Sequence, residues 1–227
     1  MAAPHSTTTH APAPRWERRK EARPTELLSA ALDLFVEKGY AATRLDDVAA
    51  QAGVSKGTLY LYYVNKEELF KAVVRQNIVP LVEHSEKLAD EFEGDSAMLL
   101  RLLVQGWWER FINTRLSGIS KLMISESGNF PELARFYHDE VIQRAHALMA
   151  SVLERGMARG EFRYVDVRST VQVLHAPVVM LSLWRNSFDL CCAKTLDAQA
   201  YLNSYVDLAL SGLSNFDYVD RPPGKNS

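Results

Sequence analysis

The fold of this chain follows from residues 43–66, which read TRLDDVAAQAGVSKGTLYLYYVNK. Thr43 with Asp46 three residues later predicts a helix start, because the hydroxyl can cap a free backbone N–H and the carboxylate favours the positive first turn. Gly53 predicts the end of that helix, because the residue just past a helix often needs a positive φ. Ser55 predicts the N-cap of a second helix. The segment therefore reads as two short helices joined by a tight turn.

The second of these helices carries unusual side chains for a buried element. Leu59 is its expected inward anchor and would close against Val48 and Ala49 of the first helix. The other positions form an outer face of polar, small and aromatic residues: Lys56, Gly57, Thr58, Tyr60 and Tyr62. Lysine can donate to guanine, a threonine methyl can pack on thymine, and glycine lets the backbone come close. The pattern predicts a helix that enters the major groove of DNA.

The flanking sequence predicts two more helices around this pair. Upstream, Pro24 suits the first turn of a helix, and Gly39 suits its end. Downstream, Asn65 followed three residues later by Glu68 predicts the start of the next helix. Together these helices would form a small bundle that supports the outward-facing one.

Residues 34–63, LFVEKGYAATRLDDVAAQAGVSKGTLYLYY, resemble the DNA-binding domain of TetR/AcrR-family transcriptional regulators. The resemblance covers most of residues 24–75, with Tyr63 standing where the family often has phenylalanine. It implies a helix-turn-helix that binds operator DNA, and a C-terminal helical domain that binds an effector. The stretches from Asn129 and from Arg159 resemble one branch of these regulators, whose ligands vary widely.

The resemblance also implies roles for individual residues. Thr43 and Arg44 match positions near the phosphate backbone, and Lys66 matches a phosphate contact at the start of the fourth helix. Tyr60 and Tyr62 match aromatic positions that contact phosphates or thymine methyls. The expected DNA-contact set is Thr43, Arg44, Ser55, Lys56, Gly57, Thr58, Tyr60, Tyr62 and Lys66.

Each of these residues has an ordinary structural alternative. A tyrosine can pack and keep its hydroxyl wet, Lys66 can be a surface lysine, and Arg44 can pair with Asp46 or Asp47. Their common face favours DNA contact for the set. The Tyr63 ring is expected to belong to the core.

Charge is distributed unevenly along the chain. The net charge is −2, yet residues 15–75 hold 11 lysines and arginines against 9 acidic residues. Five basic residues precede the first helix: Arg15, Arg18, Arg19, Lys20 and Arg23. Such an arm can follow phosphates or enter the minor groove, although interleaved glutamates fit a solvated charge run equally well.

Cysteine content and hydropathy predict the cellular compartment of the protein. Cys191 and Cys192 are adjacent and alone, so neither a disulfide framework nor a Cys-x-x-Cys site is expected. There is no apolar run of the roughly 18 residues that a membrane span needs, and the N-terminus lacks the pattern of a secretory signal. These features predict a cytoplasmic protein.

From Lys66 onward apolar residues keep recurring at helical spacing, and no segment alternates like a strand. The predicted fold is all-α, with an N-terminal three-helix helix-turn-helix DNA-binding domain followed by a helical ligand-binding and dimerisation domain. The expected segments are a disordered tail at 1–14, the DNA-binding domain with its basic arm at 15–75, the effector-binding and dimerisation domain at 76–216, and a disordered tail at 217–227.

Two long helices in the second domain are apolar on more than one face. Residues 130–156 and 167–188 would therefore need a partner beyond their own core. Pairing both with their copies in a second chain predicts a homodimer with two-fold symmetry. A dimer would place two recognition helices about 34 Å apart on a near-palindrome.

An effector pocket is expected among the helices of the second domain. Its candidate lining is aromatic or polarizable: Trp107, Phe111, Met123, Tyr137, His175 and Trp184. Core packing is the alternative for each, and His175 can be a satisfied buried histidine. His138 and His146 lie about 12 Å apart along one helix, too far to share a metal ion, so neither a metal nor a cofactor is expected.

Three classes of function fit these features to different degrees. The first is a ligand-responsive repressor released from a palindromic operator by a small, mainly apolar effector, with the helix from Asn65 to Ile78 transmitting the change. The second is an all-helical small-molecule-binding protein or enzyme, but the sequence holds no catalytic motif. The third is a structural DNA-binding protein without sequence preference.

Overall fold

The computed structural model describes residues 15–189 and 196–215, with side chains from Pro24 onward. The two predicted terminal tails and the Cys191–Cys192 pair lie outside these ranges. The described residues form helices and no β-strand, which confirms the all-α prediction. The helices are α1 (Arg15–Ala42), α2 (Leu45–Gln51), α3 (Lys56–Tyr62), α4 (Lys66–Asn77), α5 (Val79–Glu91), α6 (Ser96–Trp107), α7 (Ser117–Glu126), α8 (Pro131–Tyr137), α9 (Gln143–Ala158), α10 (Val167–Arg185) and α11 (Ala198–Leu213).

Helices α3 and α4 begin at the predicted caps, and α2 ends just before the predicted glycine. The Ser55 hydroxyl accepts the N–H of Thr58 at 3.1 Å, and Asn65 Oδ1 accepts the N–H of Glu68 at 2.8 Å. Gly53 has a φ of 66° just beyond α2, a conformation that glycine adopts without strain. These caps fix α3 between two turns and set its exposed face.

The core of the first domain contains the residues predicted from the sequence. Leu59 and Val48 are fully buried and Ala49 nearly so, which seats α3 on α2. The Tyr63 ring packs against this core, as expected, and burial raises the pKa of its hydroxyl. Burial of a large apolar side chain contributes about 1.5–3 kcal/mol, so these contacts dominate the stability of the α2–α3 corner.

The start of α1 differs from the prediction for Pro24. The helix begins at Arg15, so Pro24 lies within it and not in its first turn. Residues 15–23 are rich in arginine, lysine and glutamate, which favour helix, and a proline removes one backbone hydrogen bond. Gly39, with a φ of 83°, interrupts the helix as predicted.

The second domain contains α5 to α11 and two turns of π-helix. One π-helical turn, Trp108–Ile112, extends α6. The other, His138–Ile142, joins α8 to α9. Within the described ranges, the chain forms no helix of the length and hydropathy needed to cross a membrane.

The two domains pack directly on each other. A Cβ added to Gly118 of α7 would lie only 2.5 Å from a methyl of Val36 of α1, so the two helices are in close contact. Arg115 pairs with Asp33 at 2.6 Å across the same junction. A shift of α7 would therefore change its contacts with α1.

Candidate nucleic-acid interface and ligand cavity

Helix α3 presents an exposed face of the composition expected from the sequence. Tyr60 and Tyr62 are 45% and 38% exposed. Lys56 is exposed, and a Cβ on Gly57 would meet no atom closer than 3.8 Å. This open surface lets the α3 backbone approach a base pair closely.

Leu61 and Val64 also belong to this surface, and the sequence prediction missed them. They are 84% and 79% exposed, which is unusual for large apolar side chains. Leu61 follows Gly57 by four residues and Thr58 by three, so helical spacing alone placed it on the outer face. Apolar side chains there can contact thymine methyl groups.

Lys56 is held by an ion pair in the absence of DNA. Its Nζ lies 2.8 Å from both carboxylate oxygens of Asp46 in α2. The hydrogen bond to Asp46 raises the pKa of Lys56, so it is charged at neutral pH. Both side chains are more than half exposed, and such pairs exchange readily with other partners.

The remaining exposed candidates lie at the starts of α2 and α3. Arg44 is exposed at the N-cap of α2 and makes no capping bond with its side chain. The hydroxyls of Ser55 and Thr58 bond to each other at 2.8 Å at the start of α3. The guanidinium of Arg44 is thus available to a phosphate, while the Ser55–Thr58 pair fixes the α3 N-terminus.

Thr43 occupies a different position from the one predicted. Arg44, not Thr43, is the N-cap of α2. The Thr43 side chain is buried, and its hydroxyl donates to the carbonyl oxygens of Leu34 and Gly39, at 3.1 and 2.7 Å. Its side chain therefore fastens residues 39–44, the segment from the Gly39 break in α1 to the start of α2, which is called the α1–α2 loop below.

Lys66, predicted to contact a phosphate, bonds to backbone carbonyls in this structure. Its Nζ donates to the carbonyl oxygens of Tyr40, Ala41 and Thr43 at 2.6, 3.1 and 3.0 Å. It also lies 4.5 Å from the centroid of the Tyr40 ring. An ammonium group has three N–H donors, so all of them are used within the loop. Burial lowers the pKa of Lys66.

A cavity of about 330 Å³ lies among α5 to α10, within the size range of small-molecule sites. Five of the six predicted residues line it: Trp107, Phe111, Met123, Tyr137 and His175. The sixth, Trp184, is not part of this lining. Its ring packs on Phe188 with the ring centroids 5.0 Å apart.

The π-helical turns shape this cavity. Phe111 and Ile112 come from the first, and Val141 and Ile142 from the second. A π-helical turn inserts one residue into a helix and rotates the side chains that follow it. Neither turn could be predicted from the sequence, because their residue types also suit an α-helix.

The cavity holds one histidine, and it has a specific partner. His175 Nδ1 lies 2.9 Å from Nε2 of His146, with the rings edge to face. Burial, and secondarily His146, lower the pKa of His175 to about 4. Burial and His138 lower the pKa of His146 as well. The pair is therefore neutral at physiological pH. Among the described residues no group of three or more side chains could hold a metal ion.

Helix α7 links this cavity to the DNA-binding domain. Met123 and Ile124 line the cavity, and Glu126 lies one turn further along the same helix. Glu126 Oε1 accepts the N–H of Ala41, in the α1–α2 loop, at 3.4 Å. Helix α4 makes a second contact, through Arg75 and Glu140 at 3.4 Å. Sequence reasoning anticipated α4 and missed α7.

Two family models match the chain. One, described as "Bacterial regulatory proteins, tetR family", matches residues 27–73, and the other, "Tetracyclin repressor-like, C-terminal domain", matches residues 82–189. The HTH-type transcriptional activator FasR of Mycolicibacterium smegmatis is 33% identical over 207 residues, which cover 89% of this chain and 85% of FasR. The fatty acid metabolism regulator protein of Bacillus subtilis is 24% identical over 200 residues, covering 87% and 99% of the two chains.

Solved structures share the fold. FadR from Bacillus subtilis in complex with stearoyl-CoA superposes with a TM-score of 0.71 at 23% identity, over 83% of this chain and 98% of FadR. The ketosteroid regulator KstR2 of Mycobacterium tuberculosis gives 0.67 at 22% identity, over 85% and 95%. All of these named relatives are regulators of transcription, in agreement with the prediction that the chain is not an enzyme.

Proposed function

We propose that this chain, which belongs to the TetR family of bacterial transcriptional regulators, is a homodimeric repressor released from its operator by a small, mainly apolar effector. Its biochemical class, a DNA-binding transcriptional regulator, follows from the family. Repression, the two-fold operator, the effector and action in the cytoplasm are our proposals.

The observation that carries the proposal is the double contact of α7. The helix contributes Met123 and Ile124 to the cavity, and Glu126 to the α1–α2 loop. An effector that fills the cavity would shift α7, and with it the loop that Lys66 and Thr43 hold in place. The two recognition helices of a dimer would then lose the spacing of about 34 Å that successive major grooves require.

The exposed faces favour a dimer built on α10 and α11. Val173 and Met180 of α10 are 68% and 52% exposed, and Leu208 of α11 is 76% exposed. Exposed apolar surface on adjacent helices is typical of an interface between subunits. The sequence prediction paired α10 with residues 130–156, but the exposed face of α9 carries no large apolar side chain and includes Ser151 and Glu154. We therefore propose that the dimer interface consists of α10 and α11, and not of α10 and residues 130–156.

The named relatives support an effector with an apolar body. FadR from Bacillus subtilis was solved with stearoyl-CoA, and KstR2 is described as a ketosteroid regulator. The relatives include an activator, FasR, and a repressor, KstR2 from Rhodococcus jostii. Release by the effector requires only that it bind the DNA-free form more tightly than the DNA-bound form.

A gel-shift titration tests the proposed function. Full-length protein is titrated against the DNA that flanks its own gene, with and without apolar ligands that bind the cavity. We expect a complex of one dimer per duplex, and weaker DNA binding when ligand is present. Binding that depends on salt but not on sequence would contradict the proposal and indicate a structural DNA-binding protein.

A further inference from the structure

The described lining of the cavity is uncharged. It comprises aliphatic and aromatic side chains, four serines, a tyrosine and one histidine, and includes no aspartate, glutamate, lysine or arginine. A carboxylate or ammonium group buried there would lose its hydration without gaining an ionic partner. The cavity therefore favours ligands whose buried part is neutral.

Most of the lining hydroxyls already donate to protein partners. Ser85 donates to the Leu81 carbonyl at 2.9 Å, and Ser182 donates to the Ser117 carbonyl at 3.1 Å. The hydroxyls of Ser120 and Tyr137 lie 3.4 Å apart and share one hydrogen bond, in which one donates to the other. The hydroxyls that donate to protein groups have no proton left to offer a ligand.

His175 differs from them because one of its ring nitrogens is available. Nδ1 is bound to His146, which does not line the cavity, so that bond points away from the ligand space. In the described part of the chain no hydrogen bond reaches Nε2 of His175. His175 is part of the cavity wall, so this nitrogen can bind a ligand group or water when the cavity is filled.

Because His146 can either donate to or accept from Nδ1, Nε2 of His175 can either donate or accept a hydrogen bond. When His146 donates to Nδ1, the proton of neutral His175 resides on Nε2, which then donates to a carbonyl oxygen. When His175 donates to His146 instead, Nε2 accepts from a hydroxyl group. The low pKa of His175, caused mainly by burial, keeps both arrangements neutral.

We propose that Nε2 of His175 is the polar anchor for the effector, and that the effector is an apolar molecule carrying an uncharged carbonyl or hydroxyl group. This inference rests on the proposed function, in which the cavity is the effector site. His146 acts as a positioning residue that sets which form His175 presents.

Calorimetric titration of the full-length protein tests this with four probes of the same ring system: naphthalene, naphthyl methyl ketone, naphthol and naphthoate. The variant is His175→Leu, and the matched control is Ser85→Ala, which also alters the lining. His175→Gln restores an N–H that can donate. The quantity compared is the ratio of the affinity for the ketone to the affinity for naphthalene. A substitution that changes the cavity in general alters both affinities alike, so it leaves this ratio unchanged.

We expect His175→Leu to reduce this ratio by about tenfold, the effect of one hydrogen bond. Ser85→Ala should leave the ratio within about twofold, and His175→Gln should recover part of it. Naphthoate should bind the wild type more weakly than the ketone does.

Three results would overturn the inference. The first is an unchanged ratio in folded His175→Leu, and the second is naphthoate binding as tightly as the ketone. The third is operator binding by wild-type protein that takes up none of the four probes. That third result would also remove the cavity as the effector site and leave the DNA-binding part of the proposed function standing.

Discussion

At the level of single residues, Lys66 and Thr43 fix the path of the chain between α1 and α2. Together they bond to five backbone carbonyl oxygens, those of residues 34, 39, 40, 41 and 43. Backbone carbonyls left without a partner are costly when buried. The two side chains therefore stabilise the segment that leads into the helix-turn-helix.

Lys66→Ala should lower the free energy of unfolding by about 1–2 kcal/mol, because several charge-assisted hydrogen bonds are lost. Urea denaturation measures this. Lys87→Ala is the control, since Lys87 pairs with Glu91 on the exposed surface of α5. If Lys66→Ala were as stable as the wild type and lowered the salt slope of DNA binding by roughly one unit, Lys66 would be a phosphate contact after all.

Asp46→Asn should increase DNA affinity by about two- to fivefold, because Lys56 no longer has to leave an exposed ion pair. Fluorescence anisotropy with an operator duplex at low salt measures the change. Asp90→Asn, on the exposed surface of α5, controls for the change in net charge. Equal effects of the two variants would show that the Lys56–Asp46 pair does not compete with DNA.

Caps and anchors such as Ser55, Asn65 and Leu59 could be predicted because their partners lie a fixed number of residues away. The roles of Thr43 and Lys66 could not. Their partners are backbone carbonyls, which every residue carries, so no residue type marks them. The same holds for the pairing of His146 with His175, which depends on how α9 lies on α10.

At the level of elements, α7 has a place in both domains. Its N-terminal half packs on α1 through Gly118 and Val36, and its C-terminal half lines the cavity. The helices themselves could be predicted from apolar spacing and glycine breaks. Their mutual packing could not, and neither could the two π-helical turns, whose residue types also suit an α-helix.

Gly118→Ala should destabilise the protein by about 1–3 kcal/mol, because the new methyl would overlap Val36, a stiff β-branched side chain. Gly128→Ala is the matched control, since a Cβ there meets nothing within 4 Å. Thermal and urea unfolding of both variants measure the difference. Equal stability of the two would mean that α1 and α7 are packed more loosely than described.

At the level of the whole molecule, the exposed apolar side chains of α10 and α11 form the face that we propose for a second subunit. Sequence alone could not select it, because residues 130–156 and 167–188 look equally apolar until the fold shows which faces are already buried. Burial of these faces in a dimer would also fix the distance between the two copies of α3.

Leu208→Glu should convert the protein to monomers, because the proposed interface would then bury a carboxylate in each subunit without an ionic partner. Sedimentation equilibrium measures the change in mass. Ser151→Glu, on the exposed face of α9, should stay dimeric. Monomers from Ser151→Glu and dimers from Leu208→Glu would restore the pairing first predicted from sequence.

Selection of duplexes from a random library by the full-length protein tests the central claim most directly. The account predicts enrichment of one near-palindromic sequence, with half-sites about one helical turn apart and one dimer bound per site. Enrichment of no sequence above the starting library would contradict it.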